Sequence, residues 1–335
     1  MSNTFSGKYH LYTGEKIGAF QLILRLVTPV FTDISSWIVF FTTYGTIIYL
    51  LFNKWHLPIL IPEDNGALAI ALIIFNISLP LLLVFRTNTA YQKFWEARTL
   101  WGELVNVTRN LTRDVCIIIH AESSIDRQKK ENILLLIASL AIAIKLHLRA
   151  EPVNGELASL MSKARYFRLK YHTNHPPLQI AFWIGNYFQS QYQHNGLDVY
   201  QLTKLHRSVD KMVDILGGCE RILKTPQPII YTLVLRKLII VHCLLIPLEI
   251  VSDCHGFTGL IMTFVSLVLF GLEQIGSQLE QPFAHNPSTL PLDLICKTIL
   301  FNVQELIEFT NLSSSPLKNS AKYKYQKKPF TIDYN

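Results

Sequence analysis

FRTNTAYQKFWEARTLWGELVNVTRNLTRD, residues 85–114, joins the end of a long apolar run to a dense polar helix. It carries Trp95 and Trp101 among Arg86, Lys93, Arg98, Arg109 and Arg113. Aromatic rings and cations both favour the headgroup region, so a membrane span ending in such a block has its end fixed at the cytosolic face. Upstream of the block, Gly66 to Phe85 is a run of about 20 apolar residues, and Ile34 to Phe52 is another; each can cross roughly 30 Å of hydrocarbon as a helix.

Two further runs come late. Ile229 to Val251 carries Arg236, Lys237, His242 and Glu249, and Gly256 to Leu272 follows it. A fifth run, Ile133 to Leu148, is shorter than a span and ends in Lys145, His147 and Arg149, and it reads as a helix buried in a cytosolic bundle. Half of the 335 residues are hydrophobic and 16% are charged, with mean hydropathy +0.26. Such a balance is too apolar for a soluble domain and too polar for spans alone, and fits a membrane protein with a substantial cytosolic part.

Cation placement orients the chain. Residues 86 to 230 hold 19 Lys and Arg against 12 Asp and Glu, whereas the loop from Asn53 to Asn65 holds only Lys54 and Ser252 to His255 holds none. The positive-inside rule puts both termini and the long middle segment in the cytosol. The net charge of +7 then reflects topology and attraction for anions or anionic lipid, with no nucleic-acid partner. No signal peptide is expected, because the first apolar run begins near residue 34. The five cysteines form no CxxC pair, which supports neither a zinc site nor a disulfide scaffold.

Helical periodicity organises the rest. Trp101, Leu104, Val105, Thr108 and Leu111 share one face, as do Leu202, Leu205, Val209, Met212, Val213 and Leu216 further on. There is no strand alternation and no internal repeat. The expected division is a cytosolic N-terminal segment (1–33), spans one and two (34–85), a cytosolic helical domain (86–228), spans three and four (229–272), a cytosolic helical region (273–311) and a basic disordered tail (312–335). The fold class is all-α, with four transmembrane helices continuous with a cytosolic bundle.

Enzyme signatures such as GxGxxG, Walker A, GxSxG and HExxH are absent, so neither catalysis nor a cofactor is expected. His172 and His175 lie in a loop beside Pro176-Pro177 with no carboxylate or Cys near in sequence, and read as solvated, giving no metal site. In the second span Ile77, Leu81 and Phe85 recur every fourth residue, about 6 Å apart on one face. Ile70 and Ile73 or Ile74 extend that stripe outward and Asn88 extends it into the cytosol. Periodicity alone cannot separate a pore-facing from a lipid-facing stripe. Pro80, inside this helix, reads equally as a static kink or as a place where the helix loosens. For Arg236 and Lys237, near the cytosolic end of the third span, snorkelling would suffice. His242 and Glu249 would either line a water-filled vestibule or bond between helices.

The second informative stretch, Gly271-Leu-Glu-Gln-Ile-Gly-Ser-Gln-Leu-Glu-Gln-Pro-Phe283 followed by Leu290-Pro-Leu-Asp293, comes after the last apolar run and puts Glu273 and Glu280 on one face. Together with residues 85–114 it resembles the bestrophin family of pentameric ion channels, in its bacterial and plant-like branch, over roughly residues 10–310. The resemblance implies a homopentamer around one central pore, conducting chloride or other monovalent anions and contacting membrane lipids. Alignment through Phe94-Trp95-Glu96 carries the family's apolar neck onto Ile77, Leu81 and Phe85. With the neck placed there, Arg86, directly after Phe85, and Asn88 fall at the pore mouth, although Arg86 reads equally as a structural cation paired with Glu96 or a lipid phosphate. The resemblance puts a second cytosolic constriction at Tyr200 or Leu202. The acidic cluster that follows the equivalent Pro-Phe in calcium-gated relatives is reduced here to Asp293, so calcium gating is not expected. A cation-selective homologue, or a transporter or enzyme anchored in the membrane, remains the alternative; the inverted repeats of many transporters are not evident.

Overall fold

The computed structural model describes residues 19–55, 66–121, 123–226, 228–285 and 289–314, with side chains described from Thr32 onward, and among these residues there is no strand. The expected disordered tail lies outside the described residues from 315 on. Its first residues, Leu312 to Ser314, close a helix. In chain order the helices are α1 (Ala19–Trp55), α2 (Gly66–Ile118), α3 (Ser124–Leu148), α4 (Gly155–Ala158), α5 (Lys163–His172), α6 (Pro176–Gln193), α7 (Val199–Lys224), α8 (Ile229–Cys254), α9 (Thr258–Leu279) and α10 (Leu292–Ser314). The described residues fall into two compact units, one drawn from 1–102 with 217–292 and the other from 103–216 with 293–335.

The apolar run ending at Phe85 and the polar helix that the sequence joins to it form one helix, α2, of 53 residues. No Gly or Pro interrupts Arg86 to Trp101, and Thr87 and Thr89 donate their hydroxyls back to the carbonyls of Leu83 and Phe85 at 2.9 and 3.0 Å, so the polar residues there need not leave the helix. At 1.5 Å per residue, α2 is about 80 Å long, well over twice the hydrocarbon thickness.

In the first unit, Ile34, Ile38 and Phe41 of α1 pack with Leu79 and Leu83 of α2, Leu235 and Ile239 of α8, and Met262, Leu269 and Phe270 of α9. Trp37 stacks on Phe270 at 5.3 Å, Phe41 stacks on it at 5.8 Å, and Trp37 and Phe41 lie 6.3 Å from each other. The approach of α1 to α9 is close because small residues face each other. A Cβ on Gly259 would collide with Thr46 Oγ1, one on Gly45 would sit 2.7 Å from Met262 Cγ, and Thr42 and Thr263 share a hydroxyl hydrogen bond of 2.8 Å.

In the second unit, α3 is buried nearly all round from Ile133 to Leu148. Three helices among the described residues are long and apolar enough to cross a membrane: residues 32–54 of α1, 70–118 of α2, and α3 itself. They differ in use: 22% of the apolar window is buried inside the protomer in the first two, and 78% in α3. A helix apolar on every side and covered by protein is a core helix, so the hydrophobicity of α3 is already spent on its neighbours.

Lys145 ends the apolar run of α3 with its side chain buried, and its Nζ donates to Glu156 Oε2 at 2.7 Å and Asp293 Oδ1 at 2.8 Å. Arg149 donates to the other oxygen of Asp293, also at 2.8 Å. Burial works to raise the Asp293 carboxyl, but the hydrogen bonds and charges of Lys145 and Arg149 prevail and hold it down at about 2. A depressed carboxylate contributes stability above its unfolded value and loses it as pH falls through the folded value. The wild type should therefore lose stability between the ordinary 3.8 and about 2, and Asp293→Asn should flatten that segment of a melting-temperature-versus-pH curve. An unaltered curve in the variant would remove Asp293 from the acid response.

Candidate pore-lining face

One side of α2 is occupied and the other is bare. Leu79, Leu83, Arg86, Ala90, Ala97 and Trp101 are buried, at the three-, four- and seven-residue intervals of one helix face. Opposite them Ile77, Leu81 and Phe85 are 65%, 51% and 56% exposed. Ile70, Ile73, Ile74 and Val84 carry the same bare apolar surface along the helix, and Asn88, Tyr91 and Trp95 continue it at the other end, the last two stacked at 6.4 Å. The stripe of Ile77, Leu81, Phe85 and Asn88 is therefore one continuous surface that the described residues of its own protomer leave exposed.

Arg86 is not part of that surface. Nine residues separate it from Ile77, about two and a half turns, so it points the opposite way. Its side chain is 1% exposed; Nη1 donates to Glu273 Oε1 at 3.1 Å and Nε donates to Glu280 Oε1 at 3.1 Å. Glu273, equally buried, takes Arg236 Nη2 on its second oxygen at 3.1 Å. Two guanidinium and two carboxylate groups thus tie α2 to α8 and α9. The expectation that Arg86 presents a cation at a pore mouth is corrected: its charge is neutralised inside the protomer. Arg236 is corrected with it, since an ion pair and not snorkelling satisfies it. Glu96, a sequence neighbour of Arg86 on the same helix, pairs instead with Arg221 at 2.6 Å.

Asn76 of α2 donates to the two oxygens of Glu249 of α8 at 3.4 and 3.5 Å, whereas His242 packs its ring edge-on against Phe75 at 5.4 Å and its Nδ1 has no hydrogen-bond partner among the described residues. Pro80 lies one turn after Asn76, whose carbonyl loses its helical donor there, yet α2 remains helical through the site. Tyr200, the second residue of α7, is 87% exposed and belongs to the second unit. Leu202 is half-buried. His172 and His175 do not face each other as a pair: His175 caps α6 by accepting from the Leu178 amide and lies 4.4 Å from the ring of His147, whereas His172 packs near Phe167.

What sequence reasoning missed was the meeting of its two informative stretches. The seven-residue spacing of Glu273 and Glu280 on one face was visible, and a buried partner for such a pair had to be a cation. Arg86 is that cation.

Residues 12–305 match the family described as Bacterial/Fungal Bestrophin protein. A voltage-dependent anion channel-forming protein of Nostoc sp. is 43% identical over 287 residues, covering 86% of this chain and 91% of that protein. A protein of the same description from Synechocystis sp. is 47% identical over 236 residues, 70% of this chain and 76% of its own length. Among solved structures, a bacterial bestrophin homolog from Klebsiella pneumoniae superposes with a TM-score of 0.71 at 25% identity, covering 86% of this chain and 98% of that one.

Proposed function

The chain belongs to the bacterial and fungal bestrophin family, and on that premise we propose that it is a passive anion channel, a homopentamer whose pore is lined by the bare face of α2. The observation that carries this reading is the stripe of Ile77, Leu81 and Phe85, apolar and uncovered on a helix whose other face is held by core packing and four charges. One such stripe per protomer encloses nothing, so several copies must meet around an axis; the family resemblance makes the number five. A ring of these side chains forms a narrow dry constriction that offers an ion little in exchange for its hydration shell. Weakly hydrated nitrate or thiocyanate should then pass more readily than chloride. Span boundaries follow the apolar runs: four spans, with both termini and residues 86–228 on the cytosolic side of a bacterial inner membrane. Tyr200, free on its surface, is retained as the residue for a second constriction, and Asn88 for the entry below the neck.

Independence from calcium is part of the reading. Both oxygens of Asp293 are engaged by cations, Lys145 and Arg149, and a calcium site needs several carboxylates free to turn toward the metal.

The sign of the permeating ion rests on the relatives, two of which are named anion channel-forming proteins. Cation permeation is the second reading, favoured by one observation: the neutralised Arg86 leaves no fixed positive charge directly below Phe85. Reversal potentials of the purified protein in planar bilayers, under a tenfold potassium chloride gradient, separate the two. We expect a potential close to that of chloride, about 59 mV in magnitude for a tenfold monovalent gradient at 25 °C, and larger currents with thiocyanate. A potential close to that of potassium selects the cation reading.

A further inference from the structure

In the second unit a cavity of about 290 Å³ opens between the first turns of α3, the start of α5 and the last third of α6. Its floor is apolar, made by Ile133, Leu160 and Met161, and its walls carry Lys129, Asn132, Ser162, Arg165 and Tyr187. No carboxylate lines it. Two cations, an amide and two hydroxyls line one pocket, and the carboxylate of Asp126, 3.7 Å from Lys129 Nζ, stands outside that lining.

The state of each donor points the same way. The Arg165 guanidinium carbon lies over the Trp183 ring, 5.6 Å from its centroid, a cation–π contact that helps hold the side chain in place. Burial pushes this guanidinium down from its ordinary value, and no acid among the described residues offsets the loss. The Tyr187 phenol is pushed up to about 12, by burial and then by the charge of Asp126, so at neutral pH it stays a donor. Asp126 itself is engaged by Ser123 at 2.7 Å and Lys129 at 3.7 Å. The ten-residue helix α5 begins at the rim, with Ser162 as its cap and no acidic residue in its first turn, so its positive end is uncompensated there.

We propose that this cavity binds a small organic phosphate, its phosphate held by Arg165, Lys129, Ser162 and Tyr187 and its apolar body lying on Ile133, Leu160 and Met161. A guanidinium fork beside a helix start and an ammonium group matches the three oxygens of a phosphate monoester, a geometry that also recognises the two oxygens of a carboxylate less fully. The volume is at the small end of ligand pockets, which limits the body to about the size of one ring.

Calorimetric titration of the full-length protein in detergent, at low ionic strength, tests this with phenyl phosphate, inorganic phosphate and benzoate as probes. Phenyl phosphate should bind once per chain and more tightly than either of the others, because only it meets both the donors and the floor. Arg165→Gln should weaken it about tenfold or more, as loss of a charge-assisted hydrogen bond does, and Lys129→Met, a change at an exposed position that leaves the core intact, about threefold or more. Tyr187→Phe should weaken it severalfold. Saturable binding that is unchanged in both Arg165→Gln and Lys129→Met overturns the site, as does the absence of saturable heat up to about 10 mM, well above the millimolar range of weak ligands. Benzoate binding as tightly as phenyl phosphate overturns the phosphate assignment. None of these readouts involves ion permeation, so they stand or fall apart from the channel reading.

Discussion

Glu273→Ala should lower the melting temperature of the detergent-solubilised protein more than any other single change discussed here. The substitution leaves Arg86 buried with only Glu280 for a partner, and Arg236 with none. Breaking a buried charge cluster by removing one member costs about 3–5 kcal/mol, because the stranded charge keeps its desolvation penalty. Most of that cost is the orphaned guanidinium, which gives the test its second arm. Replacing the buried members together, Arg86→Met and Glu273→Met with Glu280→Gln, should recover much of the loss, since the buried charges disappear with their partners and only the half-exposed Arg236 is left to water. A Glu273→Ala variant that melts within about a degree of wild type would mean that water reaches the cluster and that it does not hold α2.

The neck residues should behave in the opposite way. Ile77→Ala, Leu81→Ala and Phe85→Ala combined should leave the protomer fold nearly unchanged, because the three side chains contact little of it. Conductance should nevertheless rise severalfold and discrimination between small and large anions should weaken, as a dry constriction loses several methylene groups per subunit. Leu79→Ala or Leu83→Ala, on the buried side of the same helix, should do the reverse: cost about 2–5 kcal/mol of stability with little direct effect on permeation. Single-channel recording and thermal unfolding of the same preparations measure both halves. A triple variant that assembles and conducts like wild type would assign the stripe to lipid.

The helical class, the apolar runs and the family were legible in the sequence because each depends on long-range repetition of simple side-chain properties. The buried nature of α3 was legible too, from a run shorter than the bilayer requires and ended by Lys145, His147 and Arg149. The joining of the apolar run to a polar helix was legible as well, but not that the backbone runs on unbroken for 53 residues, because a change from apolar to polar composition carries no sign of where a helix ends. The role of Arg86 was misread for a related cause. Position along the chain put it next to Phe85, and adjacency in sequence was taken for adjacency on the surface. Consecutive helical residues differ by about 100° in direction, so a neighbour in the chain does not share a face. Its true partners lie 187 and 194 positions away, and only the seven-residue spacing of those glutamates hinted at them.

The opposition of Ile77 and Arg86 on one uninterrupted helix has a consequence for how this segment can vary in length. Between them, side chains can change size and still point where they did. A single added residue, however, would turn everything upstream by about 100° relative to the charge cluster, carrying Leu79 out of the core and a different set of side chains onto the bare face. Four added residues would nearly restore the direction while lifting the stripe by about 6 Å, one full layer of the neck. The stretch from Ile77 to Arg86 is therefore open to exchange only on its bare side and closed to the insertion of a single residue, a register mark cut into the helix at the point where charge meets hydrocarbon.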